Sequence, residues 1–203
     1  MQHQNLTRRF AMLGAMASLG GCSALSSLNA AATPLNTYDL APAPGSTAGR
    51  RSGRTVLVAQ PDAPAGINTD RIMIRQGASF ISYLPNARWA DDLPNVMQSL
   101  LIRSIAGTGR MGYVGVSEGG PVPDYALLTR IDSFEVTVAG AAVIAQVDIS
   151  LTMLRDSDQT ALKTRNFRNQ VGAGSDQPQV IVAAFQAILN ALLPEMADWV
   201  AAT

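Results

Sequence analysis

Apolar residues recur along this chain with two periods, and the places where one period gives way to the other mark out the elements. Thr55 to Gln60 is a β-branched run with a continuously apolar centre, closed by Pro61, which predicts a strand covered on both faces. Arg71-Ile72-Met73-Ile74-Arg75 alternates, placing Ile72 and Ile74 on one face and Arg71, Met73 and Arg75 on the other. Gln76-Gly77-Ala78 reads as a turn into a hairpin partner at Ser79 to Leu84. Trp89, Leu93, Val96, Met97, Leu100 and Leu101 then fall at helical spacing, with Asp91 or Asp92 as cap, Pro94 in the first turn and Gly107 and Gly109 as the stop.

Three longer strands follow, Arg110 to Ser117, Tyr125 to Val138 and Ala142 to Leu154, the last alternating cleanly between Val143, Ala145, Val147, Ile149, Leu151 and Met153 and the polar Gln146, Asp148, Ser150 and Thr152. In Tyr125 to Val138 the phase slips: Leu127 and Ile131 share one parity, Phe134, Val136 and Val138 the other, and a bulge near Asp132-Ser133 reconciles them. Asp156-Ser157-Asp158 turns the chain into a polar strand, Thr160 to Val171. A final helix is predicted from Gln177 to Val200, capped by Asp176, with Ile181, Phe185, Ile188, Leu192, Met196 and Trp199 inward and Pro194 kinking or breaking it. The sum is an α+β fold, a mainly antiparallel sheet with two amphipathic helices packed on one face.

Ahead of that domain the pattern changes character. Arg8 and Arg9 precede a short apolar run from Phe10 to Leu19, too short to span a bilayer, followed by Leu19-Gly20-Gly21-Cys22. This resembles the bacterial lipobox, which implies a signal peptide over residues 1–21 and acyl chains on Cys22, with anchoring strengthened by about 0.8 kcal/mol per buried methylene. Ser23, rather than Asp, follows the cysteine, which points to the outer membrane of a Gram-negative cell, facing the periplasm. Residues 22–53 are rich in Ser, Ala, Pro and Gly and read as a flexible tether, with Tyr38 to Ala41 as an added edge strand, and the domain proper is expected over 54–203.

Composition narrows the chemistry. The chain has 203 residues, 47% hydrophobic and 15% charged, with 15 Lys plus Arg against 15 Asp plus Glu, which suits one globular core and excludes a nucleic-acid binder's charge balance. Its one His (His3) and its basic pair Arg8 and Arg9 lie in the signal, and its one Cys (Cys22) is the lipid site. The mature chain then has no imidazole or free thiol, so histidine triads, cysteine nucleophiles, disulfides and the usual zinc sites are excluded; no metal and no cofactor is expected. Gly107-Thr108-Gly109-Arg110-Met111-Gly112 matches G-x-G-x-x-G, but it follows a helix and precedes a strand, the reverse of a dinucleotide site. Asp91-Asp92 and Asp156 with Asp158 sit where caps and turns call for aspartate. No catalytic residue is nominated, and the chain reads as a non-enzyme. Arg71, Met73, Arg75, Tyr83, Arg88 and Trp89 form the arginine and aromatic set that protein interfaces favour, and are the candidate partner-binding residues. Arg75→Glu is expected to weaken binding while leaving the fold intact.

Taken together, Cys22, Tyr38-Asp39-Leu40 with Pro42, the strand ending Gln60-Pro61, Asp70 to Arg75, and Arg88-Trp89-Ala90-Asp91-Asp92-Leu93 resemble the ABC-type transport auxiliary lipoproteins, which include the PqiC-like proteins; Asp92 stands where that family favours Pro. The resemblance implies a partner of MCE-domain proteins and, through them, of an ABC permease and ATPase in systems that move lipids or other hydrophobic compounds. Homo-oligomerisation stays open. A lipoprotein activating a periplasmic cell-wall synthase, or assembling an outer-membrane export machine, would share the same anchor, tether and small domain. A third reading is direct carriage of an acyl chain by the domain.

Overall fold

A computed structural model describes residues 35–117 and 120–203; Cys22, the signal read over 1–21 and the start of the tether lie outside the described residues. Asn36 to Thr203 form one compact unit. Its elements run β1 (Asn36–Tyr38), β2 (Thr55–Val58), β3 (Arg71–Gln76), β4 (Phe80–Trp89), α1 (Leu93–Ala106), β5 (Tyr113–Val116), β6 (Tyr125–Ala139), β7 (Ala142–Arg155), β8 (Thr160–Ala173) and α2 (Pro178–Ala201).

The organising element is β6. At 15 residues it is long enough to carry two shorter strands end to end on the same edge. β2 pairs with its first third (Val56 opposite Tyr125, Val58 opposite Leu127) and β3 with its last (Met73 opposite Glu135, Gln76 opposite Val138), both parallel, while Asp62 bridges to Arg130 in between. On its other edge β6 pairs antiparallel with β7, and β7 with β8, along nearly their whole lengths. β1 joins β4, and β5 joins β2, again in parallel. The long hairpins are thus the antiparallel meander that short turns require, and the short strands add four parallel pairings. Hydrophobic alternation fixes which face of a strand is buried but not the direction of its neighbour, so the sequence carried no sign of these.

The bulge falls where the phase slip requires it: register shifts between Ile131 and Ser133. Beyond it, Phe134 and Val136 return to the core side, and Glu135 is turned to the opposite face. The core lies between the sheet and the helices, centred on three rings. Phe134 and Phe185 stack 4.6 Å apart, and the Trp89 ring stands edge-on to both, at 5.8 and 5.6 Å.

α1 begins after Asp92, which holds the N-cap position without a side-chain bond to the first turn, and has Pro94 in that turn; the Asp91 carboxylate accepts the Asp92 N–H at 2.7 Å and the Asn95 amide at 3.2 Å. α2 starts after Gln177 rather than at an Asp176 cap, and runs unbroken through Pro194. It is long and apolar enough to cross a membrane, yet half of it is buried within the domain, as a core helix requires.

The expected tether is corrected over residues 36–53, which lie against the domain. Ala41 and the Gln186 amide exchange hydrogen bonds at 2.8 and 3.1 Å, and the Ser46 N–H donates to Asp198 Oδ1 at 2.8 Å. Leu40 is buried in the core. Gly107 admits the strap, since a Cβ there would stand 2.7 Å from that of Pro44. Low bulk made this stretch read as a linker, but small residues are also what lets a backbone lie close to two helices.

Candidate docking surface

The β3–β4 hairpin presents most of the sequence-predicted residues, because alternate residues of paired strands share a face. Met73 lies opposite Tyr83 and Arg75 opposite Ile81, so Arg71, Met73, Arg75, Ile81 and Tyr83 fall on the face turned away from the helices. The loop after β2 folds over this face. Tyr83 Oη donates to the Gly66 carbonyl at 3.2 Å, and Gly66 sits so close that a Cβ would meet Met73 Sδ at 3.2 Å. A cleft of about 220 Å³ remains, with Pro64, Ile67, Met73 and Ile81 on its apolar side and Arg75, Asp132 and Glu135 on the other.

Arg75 is not a free surface charge. Its Nε and Nη2 reach the two oxygens of Glu135 at 2.7 and 2.8 Å, and Gln146 donates to the same carboxylate at 2.9 Å. Glu135 is only 3% exposed. Hydrogen bonding to that carboxylate raises the pKa of Arg75 above its ordinary value, with burial opposing and charge attraction adding. Reversing the charge would set two carboxylates together in a buried site, so the expectation that Arg75→Glu leaves the fold intact is corrected.

Two further expectations about exposure are corrected. Trp89 ends β4 at 2% exposure inside the aromatic core, and Met73 is buried beneath the loop at 4%. Helical spacing allowed Trp89 to be taken as the start of α1, whereas it is the last residue of a strand that directs it inward. Arg71 lies 5.7 Å over the Tyr83 ring, a cation–π contact, with its Nε unpartnered. Arg88 is committed to structure, donating to Thr37 Oγ1 at 3.1 Å across the β1–β4 pairing and standing 3.6 Å from Asp70.

What the hairpin leaves open is apolar: Phe80 is 58% exposed, Ile81 43% and Tyr83 36%. Sequence reasoning took Phe80 and Ile81 only as part of the hairpin partner Ser79 to Leu84, and passed over Glu135, although an isolated Glu between Phe134 and Val136 just past a phase slip was a visible sign. Among the described residues no group of three His, Cys, Asp or Glu side chains is placed to hold a metal ion.

By fold, then, the chain is an α+β domain whose one long strand carries two parallel partners in series and whose exposed hairpin bears apolar side chains beside arginine. The chain belongs to the ABC-type transport auxiliary lipoprotein component family, whose profile matches residues 38–197. It is therefore a lipoprotein component that serves ABC-type transport. Among solved structures it is similar to a Xanthomonas campestris protein assigned to the DUF330 family, at 22% identity with a TM-score of 0.75, covering 82% of this chain and 95% of that one. It is also similar to an uncharacterised protein, at 14% identity and a TM-score of 0.60, covering 82% and 97%. Both likenesses concern the fold. The comparison with curated proteins gave no match.

Proposed function

We propose that this chain is the non-catalytic, outer-membrane-anchored subunit of a transport system for lipids or other hydrophobic compounds, acylated at Cys22, and that its β3–β4 hairpin docks the periplasmic MCE component. The observation that carries the docking surface is the exposure of Ile81 and Tyr83 on one face, beside Arg71 and the 220 Å³ cleft, with Phe80 exposed at the tip on the other face. Apolar side chains grouped on one hairpin are costly to leave in water and stabilise a complex when a partner covers them. Removing large side chains from such a centre commonly weakens binding by about 1–2 kcal/mol or more. Family membership supports the transport assignment, and Ser23 after the lipobox cysteine supports the outer membrane.

The test places a photocrosslinking amino acid at position 81 in one strain and at position 128, on the exposed part of β6, in another. Crosslinking to an MCE-domain protein from position 81 alone is the expected result. Crosslinks from 128 alone would move the docking surface off the hairpin, and crosslinks to a cell-wall synthase or export channel would replace the partner.

A further inference from the structure

A second site lies at the far end of the molecule. The hairpin tip pairs with β6 at Val138, whereas Tyr125, which opens β6, stands beside a cleft of about 500 Å³. At roughly 3.3 Å per residue the two ends of β6 are some 40 Å apart, so this cleft and the docking hairpin are independent. Four arginines line it: Arg50, Arg51, Arg54 and Arg110. Against them the lining sets Asp124 and Thr203, while Asp198, outside the lining, pairs with Arg110. Asp124 accepts the Thr55 N–H at 2.7 Å, and Asp198 accepts Arg110 Nη1 at 3.2 Å and the Ser46 N–H at 2.8 Å.

The arginines are presented rather than scattered. Arg110 is 12% exposed, fixed by Asp198 and by the Ala201 carbonyl at the end of α2, 3.2 Å from Nη2. Its buried Nε has no partner. Gly49, at φ +123°, lies flat against its guanidinium, where a Cβ would come within 3.1 Å. Arg54 stacks 5.1 Å over the Tyr125 ring, which holds the side chain while leaving its donors open. Arg50 and Arg51 are exposed and, among the described residues, pair with no carboxylate. Three open guanidinium forks around a fourth that is fixed exceed what a single carboxylate can accept, whereas a phosphate offers three or four oxygens and up to two charges.

We infer that the cleft formed by Arg50, Arg51, Arg54 and Arg110 is a binding site for a phosphate monoester, of the kind phosphatidic acid carries as its headgroup. The same chemistry would accept free phosphate, and the experiment separates the two sources. The full chain, held in phosphatidylcholine nanodiscs, is titrated calorimetrically with glycerol 3-phosphate, with inorganic phosphate, and with acetate as a carboxylate control. The site binds both phosphates more tightly than acetate, and more weakly as salt rises. A preference for glycerol 3-phosphate assigns the site to headgroups, and equal binding to phosphate from any source. Arg50→Glu with Arg51→Glu, two exposed side chains without structural partners, weakens binding at least about tenfold with an unchanged melting curve. Should that double variant fail to fold, Arg54→Gln, which removes a third guanidinium of the cleft without adding a negative side chain, serves instead with the same loss expected. Phosphate binding no tighter than acetate, or undiminished in a folded variant, would overturn the inference.

Discussion

Charges on this protein divide between those spent on the fold and those left for partners, and Arg75 and Arg71 stand on opposite sides of that line. Arg75→Glu leaves Glu135 buried beside a second carboxylate. A loss of about 2–3 kcal/mol is expected, at the low end for a broken buried pair because Arg75 is itself partly exposed and screened. A shifted urea midpoint with unchanged slope would show it. Trp89→Ala removes the ring against which Phe134 and Phe185 pack, and costs about 3–5 kcal/mol. Any lost binding in that variant therefore reports on folding, whereas Ile81→Glu should reduce binding while the melting curve stays in place.

Acid sensitivity also belongs to single residues. The Asp132 carboxyl is held below the usual carboxylate range chiefly by its hydrogen bonds from Arg130, burial opposing and Ser150 and the arginine's charge adding. A carboxyl depressed in the folded state contributes stability that is fully present above its unfolded pKa, about 4, and is lost as pH falls through the lower folded value. Asp132→Asn should therefore lose that contribution at pH 7 and show a correspondingly flatter fall in stability below about pH 4, both effects small because the pair is exposed.

Among the elements, how much the sequence discloses follows from the physics of each. β7 was readable almost to the residue because one of its faces is wet and the other packed, and the slip between Ile131 and Phe134 gave the bulge in β6 because a one-residue insertion must invert parity. The parallel neighbours of β6 were not readable, since Val56 to Val58 are apolar whichever way the next strand runs. Nor was the strap over residues 39–53, whose hold depends on backbone hydrogen bonds to Gln186 and Asp198, side chains more than a hundred positions away. Of the candidate surface, alternation alone put Arg71, Met73 and Arg75 on one face of β3, but that Tyr83 joins them there and which residues of that face a loop covers was not encoded locally. Two expectations follow at this scale. Gly107→Leu should push the strap off α1 and open residues 43–53 to limited proteolysis, with the domain core still folded. Pro194→Ala should stabilise by about 1–3 kcal/mol, since α2 already runs through that position and regains a backbone donor.

At the scale of the whole molecule, β6 separates two surfaces of different chemistry. An apolar hairpin tip lies near its end and an arginine cleft beside its start, with an aromatic core and two helices holding them apart. On the readings proposed above, the hairpin end would meet a protein and the arginine cleft a phosphate. Docking of the hairpin end onto the periplasmic transport assembly is the proposal on which the proposed function depends. It is tested most directly by affinity capture of the tagged lipoprotein from detergent-solubilised envelopes, in parallel with its Ile81→Glu variant, with co-purifying proteins identified by mass spectrometry. An MCE-domain protein with the unaltered chain and its loss, at equal yield of folded bait, with Ile81→Glu is the expected result; an MCE protein captured equally by both, or a cell-wall synthase or export channel in its place, would overturn the docking proposal.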